Sequence, residues 1–306
     1  MTTREMMWVA FAGIIAVMFV LDLFVFNRKS HEIKFREALA WTLVWVGLAL
    51  AFNLGVWYFM GPAKALEFFT GYIIEESLSV DNLFVFIMIF SYFHVSRAQQ
   101  PKILKWGIIG ALVMRGIFIV VGIELIERFH WMVYIFGAVL IYTGFKMAFG
   151  GDEEVHPENN PLVKLVRRFM PITRRTYGDH FFIKRRGIWA ATPLFLTLVV
   201  VESSDVIFAV DSIPAVLAVT HDPFIVYSSN VFAIMGLRSL YYLLAHVMEM
   251  FSYLKLGVSV ILAFVGAKML LVDLVEIPLL LSLGVIVGTL TISILTSVLL
   301  AKKPHR

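Results

Sequence analysis

The 306-residue chain contains no cysteine. That absence excludes disulfides, thiolate metal sites, iron–sulfur clusters and thiol redox relays. Charge is scarce as well: Asp, Glu, Lys and Arg make up 16% of the residues, where a soluble fold carries about 25%. Hydrophobic residues make up 60%, and the mean hydropathy is +0.85. There is too little polar material to cover a water-exposed surface, so the chain belongs in a bilayer. Its eight histidines are scattered, with no close pair inside an apolar stretch, which leaves a bis-histidine haem helix without support. No Ser/His/Asp constellation, phosphate loop or cofactor motif is found, so neither an enzyme nor a bound cofactor is expected. A net charge of +4 and a pI of 9.2 could point to nucleic acid. In a polytopic protein, however, basic residues mark cytoplasmic loops, and no nucleic-acid partner is expected.

A membrane-spanning helix needs about 20 mostly apolar residues. Nine stretches qualify: 7–26, 38–60, 66–93, 104–126, 131–149, 188–220, 224–246, 255–273 and 278–300. The expected class is therefore all-α, one polytopic membrane domain over 1–306. The first stretch lacks a small-residue cleavage site and reads as a retained helix. The long polar segment is 150–187, which opens on Asp152, Glu153 and Glu154. Its stretch Pro161–Met170 has helical apolar spacing and is expected to lie along the membrane surface. Counted on alternate sides of the spans, the loops and termini hold three basic residues on one side and nineteen on the other. The positive-inside rule makes the second side cytoplasmic, with the N-terminus outside and the C-terminus inside.

Arg115, Lys146, Arg238 and Lys268 lie inside the spans. A charge in the hydrocarbon core costs about 2.5–3.5 kcal/mol or more, so each needs a partner or a water-filled cavity. They come in matched pairs. Thr143-Gly-Phe-Lys146-Met147 resembles Val265-Gly-Ala-Lys268-Met269, and Met114-Arg115-Gly116 resembles Leu237-Arg238-Ser239. Glu75 ahead of Val80-Asp81-Asn82 matches Asp205 ahead of Val210-Asp211-Ser212. The offsets are 130 for the acidic residues, 123 for the arginines and 122 for the lysines. These matches imply a duplicated unit of three helices, 66–149 and 188–273. Two helices at 7–60 precede it, the 150–187 loop divides it, and a last helix at 278–300 follows. Three is odd, so the copies enter the membrane from opposite sides. Such an inverted repeat is the architecture of many secondary transporters, with the substrate site between the repeats near the midplane.

Asp22, Glu75, Glu76, Asp81, Glu124, Glu202, Asp205 and Asp211 lie in apolar spans. Asp22 and Glu124 sit near span ends, where interfacial water is in reach. The other six cluster on the third and sixth spans and outnumber the four buried bases. Either some of these carboxyls are protonated or a cation fills the deficit, and alternation between the two states is what proton-coupled cation transport needs. Glu75 and Asp81 are six residues apart, roughly 240° around a helix, as are Asp205 and Asp211. One ion could touch both members of a pair only where the helix is broken or unwound. Pro214 cannot donate to the carbonyl of Val210 and supplies such a break in the second copy; the first copy has only Ser77 and Ser79 there. The available donors are carboxylates, the hydroxyls of Ser77, Ser79, Ser203, Ser204 and Ser212, Asn82, and backbone carbonyls. These hard oxygens suit Mg, Ca or Mn. The four bases are expected to pair with the carboxylates when the ion is absent, or else to hold an anionic substrate.

At these residues a resemblance emerges. Gly71-Tyr-Ile-Ile-Glu-Glu-Ser-Leu-Ser-Val-Asp-Asn-Leu-Phe-Val-Phe86 and Glu202-Ser-Ser-Asp-Val-Ile-Phe-Ala-Val-Asp-Ser-Ile-Pro-Ala215 resemble the two signatures of the TerC family of integral membrane proteins. Gly178–Phe182, Asp222–Val226 and Ser229–Arg238 extend the likeness over nearly the whole chain, and within the family it is to the nine-span Alx branch. The resemblance implies a manganese exporter responding to manganese and alkaline pH in a bacterial inner membrane. It carries Glu75, Glu76, Asp81, Asn82, Glu202, Asp205 and Asp211 as metal-site residues. It also brings older associations with tellurite resistance and with redox modulation, and the second has no thiol to work with here. The expected partners are a divalent cation and the lipid bilayer. The competing expectation is a non-transporting accessory protein for metal loading or stress resistance, docking through 150–187. His156 and His180 in that loop are candidate pH or metal sensors.

Overall fold

The computed structural model describes residues 3–20, 34–149, 161–173, 177–185, 187–247, 253–275 and 277–300. Asp22 and His156 lie outside them, as does the acidic opening of the 150–187 loop. Among the described residues, nine long helices fall on the nine apolar stretches. They are α1 Thr3–Val20, α2 Phe35–Met60, α3 Pro62–Tyr92, α4 Gln100–Arg128, α5 Met132–Phe149, α7 Pro193–Leu217, α8 Pro223–Val247, α9 Leu254–Leu270 and α10 Leu279–Leu300. A short helix, α6 Pro161–Phe169, falls where the amphipathic pattern places it. It buries Val163 and ends on Arg167 and Arg168. Five helices, α2, α4, α5, α7 and α10, are long and apolar enough to cross a membrane on length and composition alone. The chain is a helical polytopic membrane protein, and the full nine crossings remain an expectation of the sequence.

Two features differ from the sequence reading beyond shifts of a few residues at helix ends. The stretch from 188 does not open as helix: Ile188–Ala191 forms a strand, β2, antiparallel to β1 at Phe182–Arg185. Thr192 then caps α7, its hydroxyl accepting from the Phe195 N–H at 3.4 Å, and Pro193 begins the helix. Proline pre-sets the first helical turn and gives up only a donor that had no partner. The second difference is continuity. Both α3 and α7 run as unbroken helices through their acidic residues, and Pro214 lies inside α7 without interrupting it.

The two helix triplets pack as an exchange-symmetric pair. Under the swap of α3, α4 and α5 for α7, α8 and α9, the α3–α8 contact becomes α7–α4, while α3–α7, α4–α8 and α5–α9 each map onto themselves; all of these contacts occur. The α5–α9 seam shows the direction. Gly137 faces the backbone of Gly266, and Gly144 faces the backbone of Ser259, so the helices run antiparallel. The 122-residue offset turns Gly137 into Ser259 and Gly144 into Gly266, so the two contacts exchange with each other. Small residues at such a seam let backbones approach closely, which drives helix association where lipid removes the hydrophobic term.

The outer surface is apolar. Leu43, Leu54, Tyr58 and Phe59 on α2 and Leu280, Ile292 and Leu299 on α10 are all exposed. The interior holds Glu75, Arg115, Asp205, Asn230 and Arg238, all buried. Between these layers α1 and α2 lean on α3 and α8 through Phe11, Phe52, Phe68, Phe224 and Phe232.

Candidate functional site

Four helices, two from each triplet, bring their charges together. Arg115 of α4 forms an ion pair through Nη1 with Oε1 of Glu75 on α3. Its Nη2 lies 3.6 Å from Oδ1 of Asp205 on α7, and Nη1 also donates to Oδ1 of Asn230 on α8 at 2.6 Å. Glu75 and Asp205 are the pair related by the repeat offset, so a single guanidinium sits between symmetry-related carboxylates. The Glu75 side chain is fully buried, and those of Arg115 and Asp205 are 3% and 7% exposed.

Beside this cluster a narrow cavity is lined by Glu202, Asp205, Arg238, Gly107 and apolar neighbours, and it has room for about one water-sized guest. A Cβ at Gly110 would collide with the Glu202 carboxylate, so that carboxylate rests in a space which only glycine leaves open. Glu76 sits in a similar way against the opposite triplet, its Oε1 3.5 Å from where a Cβ on Gly236 would stand. The buried Tyr72 hydroxyl lies near it without closing a well-formed hydrogen bond.

Several buried oxygens in this region have no hydrogen-bond partner among the described residues: Glu75 Oε2, Asp205 Oδ2, Ser79 Oγ and Ser212 Oγ. Buried polar atoms are seldom left so, because each costs about 1–3 kcal/mol. The other candidate hydroxyls are committed to their own helices. Ser77 donates to the Ile73 carbonyl at 2.5 Å, and Ser203 and Ser204 donate to that of Val200 at 2.8 and 2.9 Å. Asn82 is buried on α3. Asp81 lies on α3, and its side chain is outside the described part of the structure.

Asp211 is placed apart from Asp205. It is half-buried, accepts from the Thr143 hydroxyl at 2.9 Å and has Lys146 as its electrostatic neighbour, both on α5. Because α7 is continuous, these two aspartates face different helices and do not share one position. The condition for a single ion touching both, a broken helix, is not met. Lys268 departs from its expected role: its ammonium donates to Ser282 of α10 at 3.1 Å. Arg238 lines the Glu202 cavity. Of the outlying acids, Glu124 pairs with Arg128 at an exposed helix end. His180 is exposed and holds the β-hairpin by its carbonyl, which accepts from the Thr192 hydroxyl at 2.7 Å.

The residues that sequence reasoning passed over are Asn230, Thr143, Tyr72 and Gly110. Asn230 carried a signal, a full amide inside the apolar run Ser229–Leu237. Gly110 carried none, since nothing in its local sequence foretells a carboxylate from another helix.

The fold and interior define a class: a polytopic helical membrane protein in which two helix triplets pack as an exchange-symmetric pair around buried charges. The family model described as "Integral membrane protein TerC family" matches residues 60–305, and the chain belongs to that family. The "Uncharacterized membrane protein STKORF319" of Myxococcus xanthus is 50% identical over 293 residues, covering 96% of this chain and 92% of the relative. The Escherichia coli (strain K12) protein named "Putative membrane-bound redox modulator Alx" is 48% identical over 297 residues, covering 94% and 92%. The Rickettsia bellii "Uncharacterized membrane protein" is 37% identical over 294 residues, covering 96% and 97%. No solved structure matches the chain.

Proposed function

We propose that the protein is a secondary transporter exporting Mn²⁺ across the bacterial cytoplasmic membrane in exchange for protons. The observation that carries the reading is the pair Glu75 and Asp205. They are related by the repeat, bridged by Arg115, and each keeps one buried oxygen without a hydrogen-bond partner among the described residues. A divalent cation entering between the triplets would take those oxygens together with the Ser79 hydroxyl, one turn beyond Glu75, whereas Ser212, seven residues beyond Asp205 on a continuous α7, is too far along the helix to join them. Arg115 would be displaced toward Asn230, which already accepts from it. Hard oxygen donors favour Mn²⁺, Mg²⁺ or Ca²⁺ over thiophilic ions. Protons are the natural counter-ion because the same carboxylates bind them. The distribution of basic residues orients the C-terminus and the 150–187 loop toward the cytoplasm. A thiol redox role has no chemistry in a chain without cysteine.

The test is Mn²⁺ flux into proteoliposomes with an imposed pH gradient. Wild-type protein should carry Mn²⁺ faster than protein-free vesicles, and Asp205→Asn or Asp211→Asn should abolish the difference while inserting normally. Flux in either variant equal to wild type overturns the site. No flux in the wild type overturns transport and leaves the accessory role standing.

A further inference from the structure

An open cavity lies away from the carboxylate cluster, at the end of the bundle that holds Lys34 and Arg97. It has a volume of about 370 Å³ and is lined by residues at the start of α2, the end of α3, the start of α4 and the end of α8. Lys34 and Arg97 supply its charge and His94 an imidazole, and no carboxylate is among the described residues that line it. Ser91, Gln100, Tyr241 and Tyr242 add neutral polar groups, with the Tyr241 hydroxyl donating to Gln100 Oε1 at 3.2 Å. The remaining wall is apolar, with Ile87, Phe90, Val95 and Ala245.

The backbone at His94 gives a second, independent indication. After α3 ends at Tyr92, the chain turns back through His94 at φ 51°, and the Val95 N–H bonds the Phe90 carbonyl at 2.9 Å. Glycine serves this position at a helix end without steric cost. Here the chain carries an imidazole through the left-handed region, and that side chain lines the cavity.

The corresponding turn of the other triplet, from α7 into α8, is built differently. Lys64 contacts Glu67 at 2.7 Å and Asp222 at 3.6 Å, and Thr220 donates to Glu67. That end closes on its own mixed charges, whereas the described lining of the cavity at the opposite end carries Lys34 and Arg97.

We propose that this cavity binds an anionic phosphate group, with Lys34, His94 and Arg97 as its donors. Arginine and lysine are the usual donors to phosphate oxygens. Basic pockets between membrane helices on the cytoplasmic side bind lipid headgroups. An acyl chain would follow the apolar wall, and free phosphate would use the basic rim alone. The proposal is independent of which ion is transported.

The experiment measures dissociation constants of the full-length protein by native mass spectrometry. The probes are dioleoylphosphatidylglycerol and inorganic phosphate. Lys34→Ala with Arg97→Ala should weaken binding about tenfold or more, the loss expected for charge-assisted hydrogen bonds. Arg167→Ala, an exposed arginine of α6 outside the cavity, should leave binding unchanged. Both substituted cavity residues are exposed, so the fold is retained. A loss confined to phosphatidylglycerol identifies a lipid headgroup site, and a loss confined to inorganic phosphate identifies a soluble ligand. Either result supports the proposal, as does a loss with both probes. Saturable binding of neither probe, or equal weakening by Arg167→Ala, overturns it.

Discussion

Replacing Gly266 by alanine tests whether the antiparallel α5–α9 seam holds the two triplets together. A Cβ there would stand 2.6 Å from the Gly137 carbonyl oxygen and 2.8 Å from Ile141 Cγ1. Ordinary van der Waals contact begins near 3.4 Å, so α5 and α9 must separate locally by about 0.8 Å. The obstacle is backbone on a packed helix, which cannot rotate aside as a side chain can. Overpacking of this kind costs about 1–3 kcal/mol. Alanine returns about 0.5–1 kcal/mol through its helix propensity, leaving a net loss of about 0.5–2 kcal/mol. At about 2–4 °C per kcal/mol, the melting temperature in detergent should fall by about 1–8 °C. Gly284→Ala and Gly288→Ala on α10 are the controls, since a Cβ at either meets nothing within 4 Å, and they should hold or raise the melting temperature. Gly137→Ala added to Gly266→Ala should cost less than the sum of the two, because the first separation makes room for the second. A Gly266→Ala protein as stable as the Gly288→Ala control would refute the seam.

The remaining predictions concern the charged interior. Gly110→Ala should stop Mn²⁺ flux in proteoliposomes with little loss of melting temperature, because its methyl meets the movable end of Glu202; unchanged flux would remove that carboxylate from the site. Arg115→Gln should destabilise the protein by about 3–5 kcal/mol in thermal unfolding, since it strands two buried carboxylates. Adding Glu75→Gln should recover part of that loss, and no recovery would argue against the ion pair. Lys268→Gln should leave flux at the wild-type level, whereas Lys146→Gln should lower it, because only Lys146 has Asp211 as its neighbour.

Much of the architecture was legible because membranes punish charge so heavily. Each buried base or acid had to be justified, and the justification repeated at offsets of 122 to 130 residues. Hydropathy outlined the nine apolar stretches but not their duplication, which only the matched charges at these offsets disclosed. The β-hairpin was hidden because Ile188-Trp-Ala-Ala reads as the apolar opening of the next helix. What divides them is Thr192-Pro193, a cap and a first-turn proline that composition does not register. Among the hydroxyls, sequence could not separate ligands from helix back-bonders. Ser203 and Ser204 turn onto the carbonyl of Val200 and Ser212 does not, and all three are the same residue type on one helix.

The proline of α7 marks where sequence logic went furthest astray, and its correction changes the proposed transport cycle. Pro214 removes one acceptor–donor pair, but it stands in the last turn of α7, and the helix ends at Leu217 with the Ala218 N–H bonded to the Pro214 carbonyl. A helix about to stop anyway loses little by accommodating it, so Asp205 and Asp211 stay on separate faces. One faces Arg115 and the opposite triplet, the other Thr143 and Lys146 of its neighbouring helix. Six residues of helix put about 9 Å between them along the axis. In the proposed cycle they are therefore successive stations for the cation, each with its own base to stand in when the ion moves on. Asp205→Asn and Asp211→Asn should then fail differently. The first should abolish Mn²⁺ binding at equilibrium, and the second should preserve binding while blocking flux. Equal loss of binding in both would return the two aspartates to a single site and require α7 to unwind on loading.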